Sequence, residues 1–338
     1  MTTIRDIARE SGVSVSTVSR VLAGHPDVSP STAAVVHAAI ERHHFHVNRN
    51  ASNLKRGNTT SILVIVKGRY NMLFAAMMEH VQAAVTATGH TVIAQYMDED
   101  ANEVAEAERW VGEIKPCGVI FLGADAGHME QSHLLGEKCP AVVLTNSLDA
   151  LARPGISCVT TNDRAAAASA IEYLLDSGHR RIGVIGGQPA QSAMSAHRQR
   201  GVIEAMTSHG VEFDLAKNYI ATRFSLESGY LAAQRLLESA PHITAVYAMG
   251  DIMALGAIRG FYERGLRVPD DISLIGHDGI EPASYVVPKL TTVRQPREAL
   301  VTRGVEILMR HIGGDPTPVA EIMDVEIVSG ESVRRLAE

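Results

Sequence analysis

The sequence predicts an N-terminal three-helix, helix-turn-helix head followed by an α/β core of two doubly wound parallel-sheet lobes. Three observations support this prediction. Short helix-like stretches separated by turn residues fill residues 1–47, and a polar linker follows. From residue 61 onward, short β-branched runs alternate with helical stretches in two successive series. Strands that are apolar throughout and alternate with helices are typical of parallel sheets covered on both faces.

The two strand–helix series predict two lobes with a cleft between them. The first series covers residues 62–144, with helices expected at 73–88, 101–114 and 129–137, and the second covers 163–275. Further crossovers are expected at 291–296 and 325–328. Ligands of such sheets bind at the carboxyl ends of the strands. The expected bounds are a head at 1–47, a hinge or linker at 48–59 and a core at 60–338, in which lobe 1 takes about 60–161 and 293–320 and lobe 2 takes about 162–292 and 321–338.

The first two helices of the head lie close together in the sequence. Ile4, Ile7 and Ala8 are spaced as the apolar stripe of a first helix, which Gly12 ends. A second helix is expected at about 15–23. So short an interval between two helices is typical of a helix-turn-helix.

Hydroxyl residues stand at the expected helix starts. Thr3 is the candidate N-cap of the first helix and Ser14 that of the second. Ser29 is the candidate cap of a third helix, in which Pro30 takes the first helical position and which runs to about residue 43. These caps predict three separate short helices.

The outer face of the second helix has an unusual composition for a surface helix. It presents Val15, Ser16, Thr17, Ser19 and Arg20, nearly all short side chains. Hydroxyls can donate to phosphate oxygens, and arginine can bind guanine in a bidentate contact in the major groove. This face predicts DNA binding, against the alternative of an incidental helical pair.

Charge is unevenly distributed along the chain. The 338 residues carry a net −7, whereas residues 1–59 hold seven Lys/Arg and four Asp/Glu, which gives +3 there and leaves −10 for the rest. A basic head on an acidic body is expected to contact a polyanion through the head.

Cysteines and motifs argue against several protein classes. Three cysteines without a C-x-x-C pair are expected to be reduced thiols in a cytoplasmic protein. No signal-like or membrane-spanning stretch occurs, which argues against a solute receptor and against membrane contact. The common hydrolase and nucleotide-binding strings are missing, and His43, His44 and His46 lack a good metal-ligand arrangement. We expect no catalytic residue, metal or cofactor.

Several strings together resemble the lactose-repressor (LacI/GalR) family of transcriptional regulators over essentially the whole chain. They lie in the head at 3–22, then at 54–57 (LKRG), 177–187 (SGHRRIGVIGG), 250–257 (GDIMALGA) and 267–278 (RVPDDISLIGHD). The second half is especially similar to the purine-repressor branch. The resemblance implies a cytoplasmic, nucleoid-associated homodimer on a near-palindromic operator, with a periplasmic-binding-protein-like core that holds a small effector.

The resemblance assigns DNA roles within the head. It implies base reading by Val15, Ser16 and Arg20. Contacts with backbone phosphates are implied for Thr3, Ser14, Thr17, Ser19, Ser29 and Thr32. For Ser14 and Ser29, simple helix capping is an alternative that is compatible with phosphate contact.

The resemblance also implies a hinge helix that forms on DNA. Its residues are Asn50, Ala51, Leu54 and Lys55. Leu54 is the candidate wedge that enters the minor groove and kinks a base step, while the alternative is that it packs on the core. Val47 replaces a usual proline and Ser52 a frequent basic residue, and both are expected to soften the hinge or alter operator affinity.

In the core, the resemblance implies an effector site. Its residues are Phe74, Asn146, Ser192, Met194, Arg198, Phe224, Asp278 and Gln295. Arg198 would donate to the ligand and Asp278 would accept from it, unless the two form an interlobe salt bridge. Phe224 would stack on the ligand and Phe74 would form a wall, although either could belong to the core.

Other positions depart from the family pattern and leave the effector class open. Asp251 is expected to cap its own helix rather than touch ligand. Thr145, Gly250 and the apolar Met194 leave a choice between a sugar or sugar phosphate and a purine or nucleoside. A protein co-regulator is a further alternative. The chain ends without leucine heptads, which favours a dimer over a tetramer, and repression with allosteric control is the expected function.

Overall fold

The computed structural model describes residues 4–22, 25, 27–43, 60–69, 71–136, 138–146 and 153–336. The chain divides into two compact units, residues 1–59 and residues 60–338. Each unit has its own apolar core. The predicted fold class is confirmed, and its elements explain how the sequence builds each unit.

Three short helices lie within the described residues of the first unit. They are Ile4–Glu10, Val15–Leu22 and Pro30–Arg42. Their shared core contains Ile7, Ala8, Val18, Val21, Val36 and Ala39. All six lie at the helical spacings of the sequence, so the apolar stripes face one another.

In the part of the second unit that the structure describes, there are twelve strands. In chain order they are β1 (Ser61–Lys67), β2 (Thr91–Met97), β3 (Gly118–Leu122), β4 (Ala141–Leu144), β5 (Ile156–Thr161), β6 (Ile182–Gly186), β7 (Tyr219–Ala221), β8 (Ala245–Ala248), β9 (Ser273–Asp278), β10 (Thr291–Arg294), β11 (Ala320–Met323) and β12 (Glu326–Val328). One six-stranded sheet has the order β11-β5-β4-β3-β1-β2 and the other β12-β10-β9-β8-β6-β7. All pairs are parallel except β10 with β12.

Helices cover both faces of each sheet. Those on the first sheet are Met72–Ala87, Glu103–Ile114, Ala126–Glu130 and Arg297–Ile312, and those of the second lobe are Asp163–Asp176, Ala193–Ser208, Leu215–Asn218, Leu226–Ser239, Asp251–Glu263 and the 3₁₀ helix Glu281–Ser284. Along β1, Ile62 and Val64 face one core cluster while Leu63 and Ile65 face another. This alternation explains why the strand reads as an unbroken apolar run.

The chain crosses between the lobes three times. The crossovers follow β5, follow β10 and join β11 to β12. The observed lobe boundaries differ from the expected ones, because residues 293–294 lie in the second sheet and residues 321–323 in the first. The sequence pattern also missed the helix Arg297–Ile312 and placed a helix at 129–137, where the structure has Ala126–Glu130. No helix in the described ranges is long and apolar enough to cross a membrane.

Candidate functional site

The second helix of the head exposes the face that the sequence predicts. Val15 is 41% exposed, and Ser16, Ser19 and Arg20 are exposed, whereas Val18 is buried in the head core. A solvent-facing row of small side chains and one arginine is compatible with close approach to a DNA groove. The DNA roles of these residues remain predictions.

The hydroxyl residues at the helix starts act as caps. Ser14 Oγ accepts a hydrogen bond from the Thr17 amide at 3.1 Å, and Ser29 Oγ accepts one from the Thr32 amide at 3.2 Å. The side-chain hydroxyls of Thr17 and Thr32 lie 2.8 Å from the same two serine oxygens. Capping is therefore observed, and it leaves these exposed hydroxyls clustered where a phosphate could also be bound.

Several predicted DNA-contacting residues lie outside the described part of the chain. They are Thr3 in the head and Asn50, Ala51, Leu54 and Lys55 in the expected hinge, together with the departures Val47 and Ser52. Arg42 and His43, the last residues described before this segment, both pair with Glu10. These pairs connect the end of the third helix to the end of the first.

The core contains a cavity of about 340 Å³ between the carboxyl ends of the two sheets. Its volume is at the small end of small-molecule sites, which span roughly 300–1,000 Å³. All eight residues of the predicted effector site line this cavity: Phe74, Asn146, Ser192, Met194, Arg198, Phe224, Asp278 and Gln295. The structure thus brings together residues that are far apart in sequence, while their binding role remains a prediction.

Arg198 forms its ion pair with a residue that the sequence did not single out. Its side chain is 4% exposed, and its Nε donates to Asp163 Oδ1 at 2.8 Å, while Nη1 donates to the Met249 carbonyl. Among the described residues, its hydrogen bonds do not include Asp278. Asp278 ends a strand of the second sheet and so lies in the same lobe as Arg198, which pairs with Asp163. The expected alternative of an interlobe Arg198–Asp278 salt bridge is therefore not what the structure contains.

Asp278 is the last residue of β9 and lies beside Gln295, the first residue after β10. It is buried, its backbone φ is 112°, and its Oδ1 accepts from Gln295 Nε2 at 2.8 Å. Burial raises the pKa of Asp278 to about 7, although the Arg198 guanidinium opposes this shift. Gln295 is 2% exposed and its Oε1 has no hydrogen-bond partner in the structure. A buried carbonyl without a donor is costly, so this oxygen is a natural contact for a ligand.

Asp251 does not cap its own helix, and that expectation is wrong. It is the first residue of Asp251–Glu263, but its Oδ1 accepts from Thr292 Oγ1 at 2.6 Å and its Oδ2 from the Ile280 amide at 2.9 Å. Burial, together with the neighbouring Asp278, raises the pKa of Asp251 well above its usual range. Its carboxyl group thus joins β10 to the turn after β9 and supports the position of Asp278.

Two aromatic residues border the cavity from opposite lobes. Phe74 is buried in the first-lobe core and also lines the cavity, so both expected roles apply to it. Phe224 is partly buried and packs against both core clusters of the second lobe. A Cβ at Gly187 would clash with Phe224 and with Ser195 Oγ, so glycine is needed there to let both approach. Ser195 Oγ is buried and has no hydrogen-bond partner among the residues that the structure describes.

The first-lobe wall includes a charged group that sequence reasoning missed. Lys67 lines the cavity, and its Nζ donates to Glu103 Oε2 at 2.6 Å. Glu103 is fully buried and also accepts from the Asp125 amide at 2.6 Å and contacts His128 Nδ1 at 3.2 Å. The sequence signal for this charged group was Lys67 at the end of β1. Its partner Glu103 could not be found from the same signal, because it lies at the start of a later helix.

Thr145 and Asn146 complete this wall. Thr145 has a backbone φ of 78° and donates to Asn146 Oδ1 at 3.1 Å. A β-branched residue rarely adopts a positive φ, so the backbone is strained where β4 meets the cavity.

Comparison with known protein families gives one matching profile for each unit. Residues 3–48 match the profile described as bacterial regulatory proteins, lacI family, and residues 171–333 match the profile of a periplasmic binding protein-like domain. The chain is 33% identical to the transcriptional regulator MalR of Clostridium butyricum, over 97% of this chain and 98% of MalR.

Two further proteins extend the similarity. The repressor PurR of Klebsiella pneumoniae is 33% identical over 92% of this chain and 91% of its own. The solved complex of the transcriptional regulator CelR with cellobiose superposes with a TM-score of 0.71 at 25% identity, covering 98% of this chain and 100% of that one.

Proposed function

The chain belongs to the lacI family of bacterial regulatory proteins and is a DNA-binding transcriptional regulator, and we propose that it is a repressor controlled by a sugar or sugar derivative bound in the cleft. The observation that carries the effector proposal is the set of polar groups at one cavity wall. Arg198, Asp278, Gln295 and Ser195 supply donors and acceptors side by side, and two of these groups have unpartnered atoms. A molecule with many hydroxyl groups, each both donor and acceptor, matches this wall.

The charge balance of the cavity favours a neutral ligand over a phosphorylated one. Each cation at the cavity is already paired with a carboxylate: Arg198 with Asp163, Lys67 with Glu103, and Arg223 with the acidic residues after β2. A phosphate would have to compete with these carboxylates and would face Asp278. A neutral sugar ring would instead place its hydroxyls on the polar wall and its apolar face on Phe224.

For DNA, we propose that the chain acts as a homodimer on a near-palindromic operator. Arg20 would contact guanine, Val15 a thymine methyl group, and Ser16 a third base edge. The capped hydroxyls of Ser14, Thr17, Ser29 and Thr32, with Thr3 and Ser19, would hold the phosphates. Asn50, Ala51, Leu54 and Lys55 would form the hinge in the minor groove, with Leu54 as the wedge.

Effector and operator would be coupled through the lobes. A ligand that contacts both lobes changes their closure and so the spacing of the two hinges in a dimer. Such coupling is typically about 1–3 kcal/mol and acts equally in both directions, so the operator must change effector affinity by the same factor.

A purine or nucleoside is the second candidate effector. Phe224 offers an aromatic face at the cavity, and Asp278 can accept from a ring N–H. The two candidates differ in what Phe224 must do, since stacking of a base depends on the aromatic ring more than contact with a sugar face does.

The effector proposal is tested by a thermal-shift panel of neutral sugars, sugar phosphates, purines and nucleosides. A true effector raises the melting temperature by mass action. Each hit is retested with Ser195→Ala, which removes an unpartnered hydroxyl and should leave the ligand-free protein intact while abolishing the shift. It is also retested with Gln295→Leu, which removes the unpartnered Oε1 together with the donor to Asp278, so the melting temperature of this variant without ligand is measured beside it. Ser169→Ala, which removes a hydroxyl bonded to the Ala166 carbonyl, is the matched control. Hits that survive both cavity variants, or a panel without any hit, would contradict the proposed site.

The DNA proposal is tested by selecting binding sites from random duplexes and then comparing variants. Arg20→Ala should weaken specific binding by about 1–3 kcal/mol, the discrimination expected of one bidentate base contact. Binding to nonspecific DNA should change much less. Equal losses on both kinds of DNA would remove Arg20 from base reading.

A further inference from the structure

One arginine of the second lobe contacts three consecutive carboxylates of the first lobe. Arg223 Nε lies 2.5 Å from Glu99 Oε1 and Nη1 lies 3.2 Å from Asp100 Oδ2, while Nη2 pairs with Asp98 Oδ1. Glu99 also accepts a hydrogen bond from the backbone of Phe224, next to Arg223. Arg223, Glu99 and Asp100 line the cavity, so this group lies at its rim.

The position of this group follows from the sheet topology. Asp98–Asp100 directly follow β2, and Arg223 follows β7, two residues after its last one. β2 and β7 are the outermost strands at one edge of their respective sheets. The three crossovers leave from β5, β10 and β11, which lie towards the opposite edge. If the lobes rotate about the crossovers, Arg223 moves away from Asp98–Asp100 by a larger distance than facing residues nearer the crossovers move apart.

Its charges make the group sensitive to separation. Arg223 is 52% exposed, so each ion pair alone contributes little to the stability of the closed cleft. One guanidinium, however, serves three adjacent carboxylates, which repel one another once it is withdrawn. Losing Arg223 therefore removes three attractions and exposes three repulsions on one side of the cleft.

We propose that Arg223 and Asp98, Glu99 and Asp100 form an interlobe clasp that stabilises the closed cleft. The clasp acts on lobe closure itself, so it operates whatever molecule the cavity binds. It holds the rim shut over a ligand that lies beneath it, and it weakens as ionic strength rises because its members are partly exposed.

The test measures lobe closure in the full-length, ligand-free protein. Spin labels at Ala105→Cys in the first lobe and Glu227→Cys in the second report the interlobe distance by pulsed electron resonance. Cys117 is replaced by serine, and labelled chains are mixed with excess unlabelled protein so that one labelled chain is observed per assembly. The variant Arg223→Gln keeps a polar side chain but removes the charge. Arg164→Gln breaks an exposed pair with Glu204 inside the second lobe and is the matched control.

We expect Arg223→Gln to raise the open-to-closed ratio roughly five- to tenfold, the effect of losing about 1 kcal/mol or slightly more. Raising the salt concentration should do the same to the wild type, and the control should behave as wild type. The charge exchange Arg223→Glu with Asp98→Arg and Asp100→Arg should restore the short distance. The proposal is overturned if Arg223→Gln leaves the distances unchanged, if the control shifts them equally, or if salt has no effect on the wild type.

Discussion

The two lobes contribute unequal walls to the cleft. The second lobe presents two buried polar pairs, Arg198 with Asp163 and Asp278 with Gln295. The first lobe presents Phe74, a threonine–asparagine pair and one lysine held by a buried glutamate. Because rigid, hydrogen-bonded groups can meet a ligand without reorganising, we propose that ligand recognition depends more on the second lobe than on the first.

The largest expected effect is on the buried pair of the second lobe. Asp163→Ala leaves the Arg198 guanidinium buried without a counter-charge, and we expect it to lower the free energy of unfolding by about 3–5 kcal/mol. Glu103→Ala in the first lobe should cost less, about 1–3 kcal/mol, because Lys67 borders the cavity and can turn towards it. Urea unfolding followed by circular dichroism measures both.

Glu204→Ala is the control for this comparison, since it removes the exposed partner of Arg164 and should cost no more than about 1 kcal/mol. Equal costs for Asp163→Ala and Glu103→Ala would remove the distinction between the two walls.

A second prediction concerns pH. Burial raises the pKa of Asp278 from its ordinary value of 3.8 to about 7. Between these values the native protein holds a proton that the unfolded chain has lost, so stability falls as pH rises through this window. Asp163 and Asp251, whose pKa values burial also raises, act in the same direction. Asp278→Asn should flatten the decline between about pH 4 and pH 7.

The flattening is measured as the melting temperature against pH for the variant and the wild type. Ser169→Ala, which removes a hydroxyl and no titratable group, is the control and should leave the slope as it is. An unchanged slope in Asp278→Asn would show that its carboxyl group does not hold the proton.

The smallest expected effect tests strain in the first lobe. Thr145 adopts a φ of 78°, which glycine tolerates at no steric cost. Thr145→Gly relieves this strain but loses the bond to Asn146 and adds freedom to the unfolded chain, so we expect a net gain of at most about 1 kcal/mol. A clear loss of melting temperature would show that the hydroxyl contact with Asn146 outweighs the strain.

Sequence reasoning identified residues that line the cavity, but it did not identify the carboxylates with which the cavity's cationic side chains pair. The residues that line the cavity came from motifs of a recognised family, and the fold came from the alternation of apolar runs with helices. The partner of Arg198 is 35 residues away, that of Lys67 is 36 away, and Arg223 meets Asp98 across 125 residues. No local pattern links such pairs, because the first two are brought together by the winding of the chain within a lobe and the third by contact between the lobes.

The incorrect expectation for Asp251 has a similar cause. An acidic residue at a helix start normally bonds to the helix amides, and the sequence offers no sign that Thr292, 41 residues later, will take its carboxylate instead. The helix placed at 129–137 failed because Asp125, an Asx residue that caps Ala126–Glu130, starts that helix earlier.

The late return of the chain to the first lobe has a consequence for synthesis on the ribosome. The head and β1 to β5 emerge first, but the first sheet gains β11 and the helix Arg297–Ile312 only near the end of the chain. Leu144 packs against Gly304 of that helix, where a larger residue would clash, and Gly304 is translated long after Leu144. At roughly 5–20 residues per second, the nascent first lobe remains incomplete for seconds to tens of seconds. During that interval the head can fold on its own local contacts, ahead of the core that would regulate it.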